Sequence, residues 1–111
     1  MATPLPHGSE KGGEVFAALA DPTRRHLVEK LASRGGASAT ALAAELPISR
    51  QAVAKHLATL GGAGLVRSRR DGRETVYELQ PAPLAEAATW IAAVGAEWDQ
   101  RLARLQRLLG K

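Results

Sequence analysis

The chain contains no cysteine, which excludes disulfides, thiolate metal centres and thiol-based redox sensing. Long apolar runs are missing as well. No segment approaches the roughly eighteen apolar residues of a membrane span, and the opening MATPLPHGSEKGG lacks the apolar run of a signal peptide. The expectation is a soluble cytoplasmic protein with no membrane partner. From Pro83 onward there is no histidine, and between Ile48 and Arg70 there is no acidic residue. A solvated helix face ordinarily mixes Glu with Lys, so a long stretch stripped of acid marks a surface with another purpose.

What is present sits in the same place. The 111 residues suit one domain and carry 15 Lys+Arg against 11 Asp+Glu, a net charge of +4. Residues 50–73 hold Arg50, Lys55, Arg67, Arg69, Arg70 and Arg73 against Asp71 alone, a local net of +5 that leaves the remainder at −1. The entire basic excess belongs to one stretch, as a polyanion-binding surface requires. Residues 1–12, rich in Gly, Pro, Ser and charge with little to bury, are expected to form a disordered tail. The single domain is then 13–111.

Along the chain, GEVFAALA at 13–20 reads as a short helix with Val15, Phe16 and Leu19 apolar. Asp21-Pro22 is an N-cap followed by proline at the first helical position, and Leu27, Val28 and Leu31 share one face of the helix that follows. Gly35-Gly36 ends it. A third helix starts after Ser38, covers TALAAEL and stops before Pro47. Ser49 caps a fourth, residues 49–61, on which Val53, Leu57 and Leu60 recur at i, i+4 and i+7 and face the core. Two short helices so tightly joined form a helix-turn-helix candidate. The opposite face of the fourth helix carries Gln51, Lys55 and Ala58, flanked by Ala54 and Thr59, with Arg50 in its first turn. His56 lies about 60° from the centre of the apolar face at 100° per residue, a boundary position for packing or for a backbone or phosphate contact.

Leu65-Val66 opens a strand, Asp71-Gly72 is a two-residue turn signal, and ETVYEL returns. That register sets Val66 opposite Tyr77 and Arg69 opposite Glu74. The tip collects Arg69, Arg70, Asp71, Gly72 and Arg73. From Pro83 to Gly110, Leu84, Ile91, Trp98 and Leu105 repeat every seven residues, with Ala87, Val94 and Leu108 as companions and Arg101 as a mismatch. Such a stripe, about 40 Å long at 1.5 Å per residue, outreaches a core of four short helices and predicts pairing with a second copy. Gly95 marks a bend or a close approach.

Helix, tight turn, helix and a basic-tipped hairpin make a mainly α winged helix-turn-helix fold with a small β-hairpin and a long C-terminal dimerisation helix. In this fold Ser49, Arg50 and the helix N-terminus can meet a phosphate. Gln51 can bond an adenine edge and Lys55 a guanine edge, while the wing arginines reach the minor groove or its phosphates. Arg24 and Arg25 are either further phosphate contacts or a solvated face. The segments ALADPTRRHLVEKL, TALAAEL, ISRQAVAKHLATLGGAGLV and RRDGRETVYEL resemble the ArsR-type winged-helix transcriptional regulators over about residues 14–79. The resemblance implies a homodimeric DNA-binding repressor that reads an inverted-repeat operator in double-stranded DNA. Its recognition helix would be 49–61, and its dimer interface would use Val15, Phe16, Leu19, Leu84, Ile91, Val94, Trp98, Leu102 and Leu105.

Three departures from the family pattern stand out. Pro47 occupies a turn position that usually holds glycine. Gly61-Gly62 replaces a charged helix end, which predicts fraying there. Metal-sensing members carry a cysteine pair on the helix equivalent to TALAAEL, or a histidine–carboxylate set on the last helix, and this chain has neither. His7, His26 and His56 fall on separate elements and make no metal site. The resemblance therefore implies a metal-independent branch with no cofactor, whose small-molecule effector, if one exists, is not written in the sequence. No nucleophile, phosphate loop or acid–base pair points to an enzyme. The competing reading is a winged-helix module whose basic face meets an acidic protein without reading DNA sequence.

Overall fold

The computed structural model describes residues 9–110. Its elements run α1 (Ser9–Leu19), α2 (Pro22–Arg34), β1 (Gly36–Ser38), α3 (Ala39–Ala43), α4 (Arg50–Gly62), β2 (Val66–Asp71), β3 (Glu74–Leu79) and α5 (Ala82–Leu108). Residues 9–12 thus open α1 instead of belonging to a tail, and residues 1–8 lie outside the described residues.

Side-chain caps set three helix starts. Asp21 accepts the Arg24 backbone N–H at 3.0 Å, with Pro22 just inside the helix. That hydrogen bond, more than any nearby charge, holds the Asp21 carboxyl below its ordinary pKa. Ser38 caps α3 through the Ala41 N–H, and Ser49 caps α4 through the Ala52 N–H, each at 3.1 Å. Gly35 closes α2 at φ +90°, a conformation that favours glycine. The apolar positions then meet: Val15, Leu27, Leu31, Leu42, Val53, Leu57, Leu60 and Leu65 are fully buried in one core.

Four local expectations need correction. First, α3 ends at Ala43 instead of Leu46. Its tail tightens into i→i+3 bonds, Glu45 N–H to Leu42 and Leu46 N–H to Ala43, ahead of Pro47. Second, α4 runs intact through Gly61 and Gly62; a Cβ on Gly61 would lie 3.8 Å from the Val66 carbonyl oxygen, so this end packs against the start of the wing. Third, β1 joins the sheet in the order β1-β3-β2, with Ala37 opposite Tyr77.

Fourth, the hairpin register differs by two residues, with Val66 opposite Leu79, Arg69 opposite Val76 and Asp71 opposite Glu74. Gly72 and Arg73 make the turn. Only Gly72 has positive φ, at +64°, so the pattern is glycine at the first central position. Asp71, expected in the turn, instead ends β2 in extended pairing with Glu74.

The HTH pair is braced from α2. Lys30 Nζ lies 3.0 Å from Glu45 Oε1, and Arg34 bonds the same oxygen. The Arg34 hydrogen bond, with Lys30 second, draws the Glu45 pKa from 4.5 down to about 2. A depressed carboxylate pKa gives stability that is complete above the unfolded value and lost as pH falls through the folded one. Glu45→Gln is therefore expected to lower the urea midpoint at neutral pH. The gap to the parent should shrink steadily between about pH 5 and pH 2 and shrink also in high salt, because the pair is solvent-accessible.

Candidate nucleic-acid interface

The two faces of α4 divide as its periodicity predicts. Val53, Leu57 and Leu60 are buried, while Gln51, Lys55, Ala58 and Thr59 stand exposed and Ala54 is half-buried. Lys55 has no acidic partner among the described residues. Thr59 donates its hydroxyl to the Lys55 carbonyl at 3.3 Å, so its oxygen is left to accept. At the helix start the Ser49 oxygen already accepts from Ala52 N–H, and its own proton stays free to donate. Arg50 is exposed, yet its Nε donates to Thr40 Oγ1 at 2.9 Å. This bond ties α4 to α3 and leaves the two terminal nitrogens of the guanidinium for another ligand.

On the wing, the two faces of the ribbon carry opposite logic. Arg67 and Arg69 share the outer face with Glu78, at 3.7 and 3.3 Å from Oε1, and Arg69 also lies 3.8 Å from Asp71. Glu78 Oε1 is out of contact with solvent and makes no well-aligned hydrogen bond, so these are Coulombic contacts. Arg70 falls on the other face, in line with Ser68, and Arg73 sits in the turn. Both are exposed and without an acidic partner among the described residues. Of the wing cations expected from the sequence, Arg70 and Arg73 are thus the uncommitted ones, and Arg69 is partly neutralised.

His56 does not join Gln51 and Lys55. It is half-buried on the flank of α4 that faces α2, with Nδ1 3.4 Å from Arg24 Nη1. Sequence reasoning missed what Arg24 and Arg25 do. Arg24 donates to the carbonyls of Ala18 (2.7 Å) and Ala17 (3.3 Å), and Arg25 to those of Leu19 (2.7 Å) and Ala20 (3.2 Å). Together they bond carbonyls at and just beyond the end of α1, whose last turn carries no basic residue of its own. The readable signal is a pair of arginines one short turn beyond a helix end.

The residues read as a dimer seam also sort themselves. Val15 is not available to a partner: it is 1% exposed in the protomer's own core. Leu19 and Leu84 are partly buried against that core. Phe16 meets Trp90 of α5 with ring centroids 5.7 Å apart. Ile91, Trp98, Leu102 and Leu105 are at least half exposed, and Val94 is half-buried. At 100° per residue Gly95 falls within about 60° of each of Ile91, Trp98 and Leu102, and a Cβ added there would meet nothing within 4 Å. The helix is continuous through it.

Comparison with known proteins agrees with this arrangement. Residues 19–69 match a family described as a helix-turn-helix domain. An HTH-type transcriptional regulator of Mycobacterium tuberculosis is 49% identical over 74 residues, 67% of this chain and 68% of that protein. A transcriptional repressor of Bacillus subtilis is 31% identical over 77 residues, 69% of this chain and 84% of its own length. Among solved structures, an ArsR-like transcriptional regulator from Rhodococcus superposes with a TM-score of 0.79 at 44% identity, over 90% of this chain and 93% of that one. With its HTH pair, its wing and its long final helix in the same order, the chain belongs to the ArsR-type winged helix-turn-helix transcriptional regulators.

Proposed function

We propose that the protein acts as a homodimeric repressor whose two α4 helices enter successive major grooves of an inverted-repeat operator, and that it does so without a metal effector. The observation that carries this reading is the combination of an acid-free, exposed α4 face with a final helix that buries none of its 27 residues in the protomer. A twofold axis along α5 would present two copies of α4 in equivalent orientation, with half-sites about 34 Å apart, one turn of the duplex. In each half-site Gln51 and Lys55 face base edges, Ser49 and Arg50 meet a phosphate at the helix start, and Arg70 and Arg73 hold the flanking backbone. The repressor sign rests on the similarity to the Bacillus subtilis transcriptional repressor. Metal independence is supported by the absence of cysteine and by the lack of any cluster of three potential ligands among the described residues.

Selection from random duplex DNA at about 0.15 M salt tests the assignment. An inverted repeat should be recovered, with the same affinity in chelator and in micromolar zinc. Recovery of no sequence, or an operator bound only with or only without the metal, would contradict it.

The recovered duplex then separates the roles of the side chains. Arg70→Ala or Arg73→Ala should weaken all duplexes alike and reduce the slope of log affinity against log salt by about 0.9 for each phosphate that is no longer neutralised. Gln51→Ala should keep the slope and relax preference at one base pair, at a cost of about 1–3 kcal/mol. Competition binding across a salt series distinguishes the two patterns, and unchanged binding in all three variants would remove α4 and the wing from the interface.

A further inference from the structure

We infer that Arg24 is a positioning residue for DNA binding: it locks His56 in the tautomer that carries its proton on Nε2 and so presents that N–H to a backbone phosphate beside α4. The phosphate is the part that rests on the operator reading above. The tautomer follows from the protein's own geometry.

The guanidinium of Arg24 has two of its three nitrogens committed. Nε donates to Ala18 O at 2.7 Å and one terminal nitrogen to Ala17 O at 3.3 Å, which leaves Nη1 directed at His56 Nδ1, 3.4 Å away. Arginine has donors and no acceptor. The contact is therefore a hydrogen bond only when Nδ1 is bare, and a neutral imidazole then holds its proton on Nε2. The opposite tautomer would set two N–H groups against each other. Turning the guanidinium away would release the Ala18 carbonyl at the end of α1, while that of Ala17 would keep only the Ala20 N–H, so the arrangement is anchored on both sides.

The position of His56 gives the tautomer a use. On α4 it lies about 60° from Thr59 and about 40° from Ala52 at 100° per residue, on the flank of the helix instead of its groove-facing centre. A helix seated in a major groove turns such a flank towards the sugar–phosphate wall, where a fixed N–H donor suits a phosphate oxygen. Arg24 also reaches back into α1, whose Phe16 packs on Trp90 of α5. One side chain thus joins the end of α1 to His56 on the flank of α4.

The test begins on the free full-length protein, by long-range proton–nitrogen correlation of the imidazoles at about pH 8.5, where a free imidazole is uncharged. Wild-type His56 should show Nε2–H alone, and Arg24→Met should show a mixture. A residue that only capped α1 would leave this signature unmoved. On a labelled duplex carrying the selected repeat, Arg24→Met should bind roughly two- to fivefold more weakly, because only the fraction of His56 that still carries its proton on Nε2 is competent to donate. His56→Gln, whose amide nitrogen replaces Nε2, should bind within about threefold of wild type on the same scale. In that background Arg24→Met should cost little further. If Arg24→Met does not fold, Arg24→Lys replaces it, because lysine can serve a carbonyl but not the carbonyls and the imidazole together.

An Nδ1–H tautomer in the wild type, an unchanged tautomer in the folded Arg24 variant, or an equal cost of that variant with Gln at 56 would each overturn the inference. The tautomer is read without DNA, so its failure is distinct from a failure of the operator assignment. That assignment fails instead if the wild type selects no repeat.

Discussion

The final helix cannot satisfy its own apolar surface. α5 spans 27 residues, and none of its side chains is buried in the protomer, although Ile91, Trp98, Leu102, Leu105 and Leu108 are large and apolar. It gives the protomer a radius of gyration of 18.5 Å and a longest dimension of 65 Å, against about 13 Å for the radius of a compact domain near this size. An apolar surface of that extent on so small a molecule calls for a partner. A second copy supplies a matching stripe by symmetry. Gly95, in the midst of that stripe with empty space above it, would give such a partner helix room to approach. Everything proposed about the operator depends on this: a twofold axis fixes the separation and relative orientation of the α4 helices, and hence the inverted repeat.

The rest of the molecule would hold α4 at a defined angle to such an axis. Polar contacts do this from both sides: Arg50 ties α4 to α3 through Thr40, the Lys30–Arg34–Glu45 cluster ties α2 to the turn between them, and Arg24 ties the end of α1 to His56. Individually such exposed pairs contribute little to stability. Their effect is geometric: each fixes one element against the next. Positive charge is spread over the same surface unevenly, with Arg67 and Arg69 partly offset by Glu78 and Asp71, and Arg70 and Arg73 not.

Where the fold was legible, the signal was local. Asp21-Pro22, Ser38 and Ser49 announce helix starts because each cap closes within three residues, and the Val53, Leu57, Leu60 spacing fixes which face of α4 is free. What escaped was set by distant partners. Gly36-Ala37-Ser38 has no strand character of its own and becomes β1 only by pairing with Val76, Tyr77 and Glu78. The hairpin register turned on whether Asp71 or Arg73 flanks the one positive-φ glycine, and the sequence around Gly72 fits both. Val15 and Phe16 are neighbours of similar character, yet one is sealed in the core and the other packs on Trp90. The capping work of Arg24 and Arg25 likewise depends on how α1 meets α2.

Sedimentation equilibrium of the wild type and of Trp98→Ala at micromolar concentration addresses the central claim most directly, because Trp98 is large, 56% exposed in the protomer and in the middle of the stripe. A seam along α5 requires a wild-type dimer. It also requires the substitution to weaken self-association by about two orders of magnitude or more, as loss of a central aromatic anchor from both sides of an interface does. A monomeric wild type, or a Trp98→Ala protein that dimerises as tightly as its parent, would contradict it.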